Sequence, residues 1–137
     1  MTHCLLRLTL AGVLLSAQAP AHAQDDPRNA VVTAAADLSI GYGMWLWEKR
    51  CQTMTAVTRA TYDAVINDDL KRLQDASDER LFNATVSSGR EASSDPSLAS
   101  CTGKDAKGLA EFGLTQARAA QDKLKLLPAG YHLTISD

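Results

Sequence analysis

The sequence predicts an all-α fold, a bundle of three or four antiparallel helices stapled by one disulfide. Three observations carry that prediction. Apolar residues recur at steps of three and four along most of the chain, the spacing of one helix face. Residues that cap helices, Asn29, Ser77 and Asp95, stand ahead of such stretches, and Pro96 after Asp95 takes the first helical position. Two cysteines, Cys51 and Cys101, remain once an N-terminal leader is set aside.

The leader is residues 1–23, with a weakly basic start ending at Arg7, a short apolar run from Leu8 to Leu15 and a small-residue exit at Ala21-His22-Ala23. That is the pattern of a secretory signal peptide. A membrane anchor needs about 20 apolar residues, and Arg7, Gln18 and Pro20 bracket a shorter stretch with no cysteine after it for lipid attachment. Cleavage after Ala23 removes Cys4 and leaves residues 24–137, enough for one helical domain with a modest core. The expected location is the periplasm or the medium, where thiols oxidise and Cys51 is expected to pair with Cys101. A bridge across 50 residues is worth about 4 kcal/mol on a chain-entropy account.

Of the 14 Lys and Arg in the chain only Arg7 leaves with the leader, so 13 stand against 16 Asp and Glu. An excess of acid argues against nucleic acid, whose phosphates demand a basic face.

A first helical pattern runs from Asn29 to Leu38, and Gly41 and Gly43, each costing about 1 kcal/mol inside a helix, predict a bend or break. From Met44 a long amphipathic helix is expected. Trp47, Cys51, Met54, Val57, Thr61 and Val65 form one apolar stripe, and Tyr62, Ile66, Leu70 and Leu73 an adjoining one. Glu48, Lys49, Arg59, Asp63, Asn67, Asp68 and Lys71 make its polar side. This helix either stops near Asp75, with Ser77 capping a fresh start at Asp78-Glu79-Arg80, or continues to Ser87-Ser88-Gly89, where Gly89 is the expected stop. Asp95-Pro96 then opens a short helix carrying Leu98 and Cys101, and Thr102 to Asp105 is a turn. Leu109, Phe112, Gly113, Ala117, Ala120, Leu124 and Leu127 mark one face of a last helix, ended by Pro128 and Gly130. Tyr131 to Ile135 alternates like a strand without a visible partner strand.

Few residues carry recognisable chemistry. His132 is the single histidine beyond the leader, it lies in the tail, and no Gly-x-Ser-x-Gly elbow accompanies it, so it reads as a solvated side chain. Asp68-Asp69 and Asp75 to Glu79 lack the alternating ligands and central Gly of a calcium loop and read as solvated helix surface. Zinc wants several His or Cys, and the two cysteines are committed. No metal or cofactor is expected. Trp45 and Trp47 are two apart on a helix and point about 200° away from one another. With Trp47 inside beside Cys51, Trp45 is left outside or under another element, and Tyr42, Met44 and Trp45 together become the candidate partner-binding surface.

The order Trp47-Glu48-Lys49-Arg50-Cys51, a helical spacer, then Ser100-Cys101-Thr102 and a Lys- and Asp-rich helix, resembles the HdeA-type periplasmic acid-stress chaperones. That resemblance implies a small helical bundle held by a disulfide and exposure of apolar surface in acid. The Gly41-Tyr42-Gly43-Met44 segment stands outside the family pattern. The expected function is non-enzymatic: an exported helical protein that binds another envelope or secreted protein as inhibitor, immunity protein, chaperone or envelope accessory, without stable membrane insertion. Two other readings stand beside it. A small-ligand carrier requires an apolar cavity between the helices, and a carboxylate-dependent hydrolase requires two inward-facing acids in a cleft.

Overall fold

A computed structural model describes residues 26–135, and the expected leader lies outside them. The fold is all-α, with α1 (Pro27–Cys51), α2 (Ala56–Ala76), α3 (Glu79–Ser93), a single 3₁₀ turn (Pro96–Leu98) and α4 (Ala106–Lys125). Among the described residues no helix is long and apolar enough to cross a membrane.

Residues that meet across the seams give the helix directions. Gly41 and Met44 face Ala117 and Gly113, and Asp37 pairs with Lys123, so α4 runs against α1. Gly43 meets Gly89 and Arg50 reaches the Ser93 carbonyl, so α3 runs with α1. Asp68 on α2 accepts a hydrogen bond from Gln121, and Tyr62 meets Gly113, so α2 runs with α4. The bundle is therefore up-down-up-down. α1 packs against all three other helices, and its second half is enclosed on nearly every side.

Asp26 caps α1 by accepting from the Arg28 amide, and Pro27 occupies the first helical turn. The bend expected at Gly41 and Gly43 does not occur. Both glycines lie inside α1 because neighbouring backbone presses on them: a β-carbon would stand 2.9 Å from the Ala117 nitrogen at Gly41 and 2.8 Å from the Gly89 carbonyl oxygen at Gly43. Gly89, expected as a stop, is likewise buried within α3, which continues to Ser93. These glycines admit another helix rather than end their own.

The long helix expected from Met44 onward is two helices. Gln52 takes the left-handed conformation (φ 51°, ψ 47°) with its amide bonded to the Glu48 carbonyl, and Thr55 caps α2 by accepting from the Thr58 amide. Met54 stays buried in the turn, but the expected stripe is interrupted beyond it, where Val57 is 79 % exposed and Thr61 is exposed as well. α2 ends at Ala76, and Asp78, rather than Ser77, caps α3. Asp95 and Pro96 start only the 3₁₀ turn, and Cys101 lies beyond it. α4 buries Gly113, Ala117, Ala120 and Leu124 as expected, whereas Phe112 is 49 % exposed.

The tail finds its partner in the α2–α3 corner. The Leu133 amide donates to the Ala76 carbonyl (2.8 Å), the Leu133 carbonyl accepts from the Asp78 amide (2.9 Å), and Leu133 is buried. The Cys51–Cys101 disulfide joins the end of α1 to the connection ahead of α4, with Cα atoms 5.1 Å apart.

Candidate functional site

Polar and aromatic side chains gather where α1 turns into α2. Glu48, on the inner face of α1, is fully buried, and its carboxylate closes the turn that follows it. One oxygen accepts from the Thr53 amide (3.0 Å) and hydroxyl (2.6 Å); the other accepts from the Met54 amide (2.9 Å) and Arg59 Nε (3.2 Å). Burial alone raises the pKa of this acid, but the bonds from Thr53, Met54 and Arg59 outweigh it and leave the group below its ordinary value. Arg59 also donates to the Met54 carbonyl. The charge is thus spent on backbone architecture, in the manner of a capping group.

Tyr62, fully buried on α2, donates its hydroxyl to the Gly41 carbonyl at 2.6 Å. Burial, with the Glu48 charge behind it, pushes the phenol pKa up. Trp47 is also fully buried, as expected, and its Nε1 donates to the Leu98 carbonyl at 2.9 Å. Arg50 donates to the same carbonyl, so the 3₁₀ turn is held over the indole by both.

Of the three residues named for a partner surface, Tyr42 and Met44 are buried, because α3 lies over Tyr42 and α4 over Met44. Trp45 alone keeps an exposed edge. Its Nε1 donates to Asp63 Oδ1 at 2.5 Å, Tyr42 stacks on it at 5.6 Å between ring centroids, and Lys49 Nζ sits 4.5 Å over the ring. Lys49 also reaches Asp63, at 3.7 Å. The indole is consequently held by three neighbours and remains only partly exposed.

Two functional-looking residues escape the sequence reading. Glu48 and Asp69 are expected on polar faces, and both are fully buried. For Asp69 a signal is present, since Tyr62, Ile66, Asp69, Leu73 and Ala76 continue one stripe at steps of three and four. Neither carboxylate oxygen of Asp69 has a hydrogen-bond partner among the described residues. Glu48 and Asp69 do not form a pair. Glu48 is bonded to Arg59, and Asp69 lies ten residues further along α2, about 15 Å of helix.

His132 sits in the docked tail, exposed, with Nδ1 3.1 Å from the Asp75 carbonyl oxygen. Two open grooves are present at this end: one of about 310 Å³ lined by Gln74, Ser77, Glu79, Phe82 and Asn83, another of about 200 Å³ between Arg72, Leu124, Leu127 and Tyr131. Among the described residues no group of three or more His, Cys, Asp or Glu is placed to hold a metal ion. Comparison with known proteins finds no family model, no curated protein and no solved structure that matches the chain.

Proposed function

We propose that this chain is an exported, non-enzymatic helical protein that acts by binding another protein of the envelope or medium, and that Trp45 is the anchor of its binding surface. The observation that carries the reading is the fixed, partly exposed Trp45 indole, oriented by Asp63, Tyr42 and Lys49. Binding hot spots favour large aromatic side chains already held in place, ringed by polar groups that shed little entropy on association. Lys49 and Asp63 form such a rim. The disulfide fits an oxidising compartment. An inhibitor, an immunity protein, a chaperone of the HdeA type and an envelope accessory all meet this description.

The hydrolase reading asks for two acids facing a shared cleft, and the four hydrogen bonds on Glu48 leave its oxygens no free role there. A carrier needs an enclosed apolar cavity, whereas the two grooves described are open and partly polar.

Trp45→Ala and Trp47→Ala separate the cases. Trp47→Ala should lower stability by about 3 to 5 kcal/mol, as loss of a buried aromatic does. Trp45→Ala should cost at most about 2 kcal/mol in stability while weakening the partner captured from envelope or culture-supernatant fractions by about 30-fold, a hot-spot loss. If Trp45→Ala unfolds the protein as badly as Trp47→Ala, or leaves partner affinity unchanged, the surface lies elsewhere.

A further inference from the structure

Asp69 is buried on α2, with Asp122 and Lys125 of α4 among the charges that act on it, and its carboxyl group finds no donor among the described residues. The donors nearby are spent on its neighbour: Arg72 Nε gives its hydrogen bond to Asp68 at 2.8 Å, and Gln121 on α4 gives its amide to the same Asp68 oxygen at 2.9 Å. The buried stripe of α4 at this level, Ala117, Ala120 and Leu124, offers only apolar side chains. An ionised carboxylate here would be shut off from bulk solvent and without a protein hydrogen bond. We propose that the α2–α4 seam is a proton-sensitive latch, in which Asp69 packs as the neutral acid and loss of its proton loosens α2 from α4 at the end of the bundle where the tail docks.

The charges around the latch are mixed. On α2 itself Asp68 and Arg72 flank Asp69, and α4 contributes Asp122 and Lys125. α1 brings Asp37 to this level, ion-paired with Lys123. α3 has no ionisable side chain between Arg80 and Arg90, and the tail brings His132 to the Asp75 carbonyl. Burial is the largest effect and raises the Asp69 pKa from 3.8 to about 7; Asp68 and Asp122 add to it, while Lys125 and Arg72 oppose it. The folded chain therefore holds a proton that the unfolded chain releases. Its stabilising effect is complete below pH 3.8 and is lost as pH rises to about 7, at close to tenfold in the folding equilibrium for each pH unit.

The test uses the oxidised protein and Asp69→Asn, which mimics the neutral acid. Urea unfolding from pH 4 to 8 should show the variant gaining on the wild type by several-hundred-fold to about 1,000-fold across the window, a comparison in which titrating groups that do not interact with Asp69 cancel. The ¹³C resonance of the Asp69 carboxyl in the wild type should titrate near pH 7. Amide exchange, corrected for its intrinsic pH dependence, should quicken above that pH in residues 69–78 and 120–133 of the wild type, but not around Tyr62 and Gly113. A carboxyl midpoint below 5, or a wild-type to variant ratio that does not change with pH, overturns the proposal. So does exchange that quickens evenly through all four helices. Should Asp69→Asn fail to fold, the wild-type carboxyl titration and exchange map still decide the matter.

Discussion

At the scale of single residues, Glu48 shows how a buried charge is made tolerable. An ionised carboxylate removed from water costs several kcal/mol unless donors replace the solvent. The α1–α2 turn supplies the Thr53 and Met54 amides, the Thr53 hydroxyl and the Arg59 guanidinium, all directed at its two oxygens. Gln52 can adopt its left-handed conformation because the chain after it is held by those bonds. Glu48→Ala should therefore destabilise the fold by about 3 kcal/mol, since it strands two amides and the Arg59 charge together. The pH dependence follows from the lowered pKa of Glu48. Its contribution is present above the ordinary value of 4.5 and falls away as pH drops through the lower folded value. Urea unfolding of the wild type and Glu48→Gln at pH 7 and pH 3 checks this. The variant should lose less on acidification than the wild type, and an equal loss would mean that Glu48 does not titrate with folding. Glu48 and Asp69 thus act in opposite directions, one favouring the fold when charged and the other when neutral.

At the scale of elements, contacts between glycines and small residues set how closely helices approach. At Gly113 a β-carbon would overlap the Met44 side chain and the Tyr62 hydroxyl, displacing the bond from Tyr62 to the Gly41 carbonyl. Gly113→Ala should cost about 1 to 3 kcal/mol through overpacking, against a helix-propensity gain of about 1. Gly108→Ala, also in α4 but with nothing within 4 Å of the added carbon, should instead stabilise by up to about 1 kcal/mol. Opposite shifts in melting temperature are expected, and a rise for both would show that the α1–α4 approach has slack. The same glycines explain where the sequence was legible and where it was not. Helical spacing and caps are local, so α4, the Asp95–Pro96 start and the inward Trp47 could be read from it. A glycine that bends a helix and one that admits a neighbour look alike until the neighbour is known, so Gly41, Gly43 and Gly89 were misread as breaks. The real break at Gln52 lacks the usual glycine or asparagine and depends on a carboxylate four residues earlier. The site divides the same way. The opposed directions of Trp45 and Trp47 follow from helix geometry, and the burial of Asp69 follows the stripe of α2, but the burial of Tyr42 and Met44 is decided by helices distant in sequence.

At the scale of the whole molecule, α1 is the central post and the disulfide ties its end to the least packed part of the fold. The connection 94–105 contributes only Leu98 and Cys101 as partly buried side chains. It is otherwise held at this point by the Trp47 and Arg50 bonds to the Leu98 carbonyl. With the cross-link gone, the unfolded chain regains the freedom of a 50-residue loop, worth about 2 to 5 kcal/mol in a small domain. Cys51→Ser and Cys101→Ser should each show that loss in urea unfolding, and mass analysis of the wild type should find no free thiol at Cys51 or Cys101. The double variant decides whether the bond is the cause. Because either substitution alone already removes the whole cross-link, the second should add little, and the double variant should be about as stable as each single one. Losses that instead sum in the double variant would mean that Cys51 and Cys101 contribute as separate packed side chains, and that the connection 94–105 is held without the covalent tie.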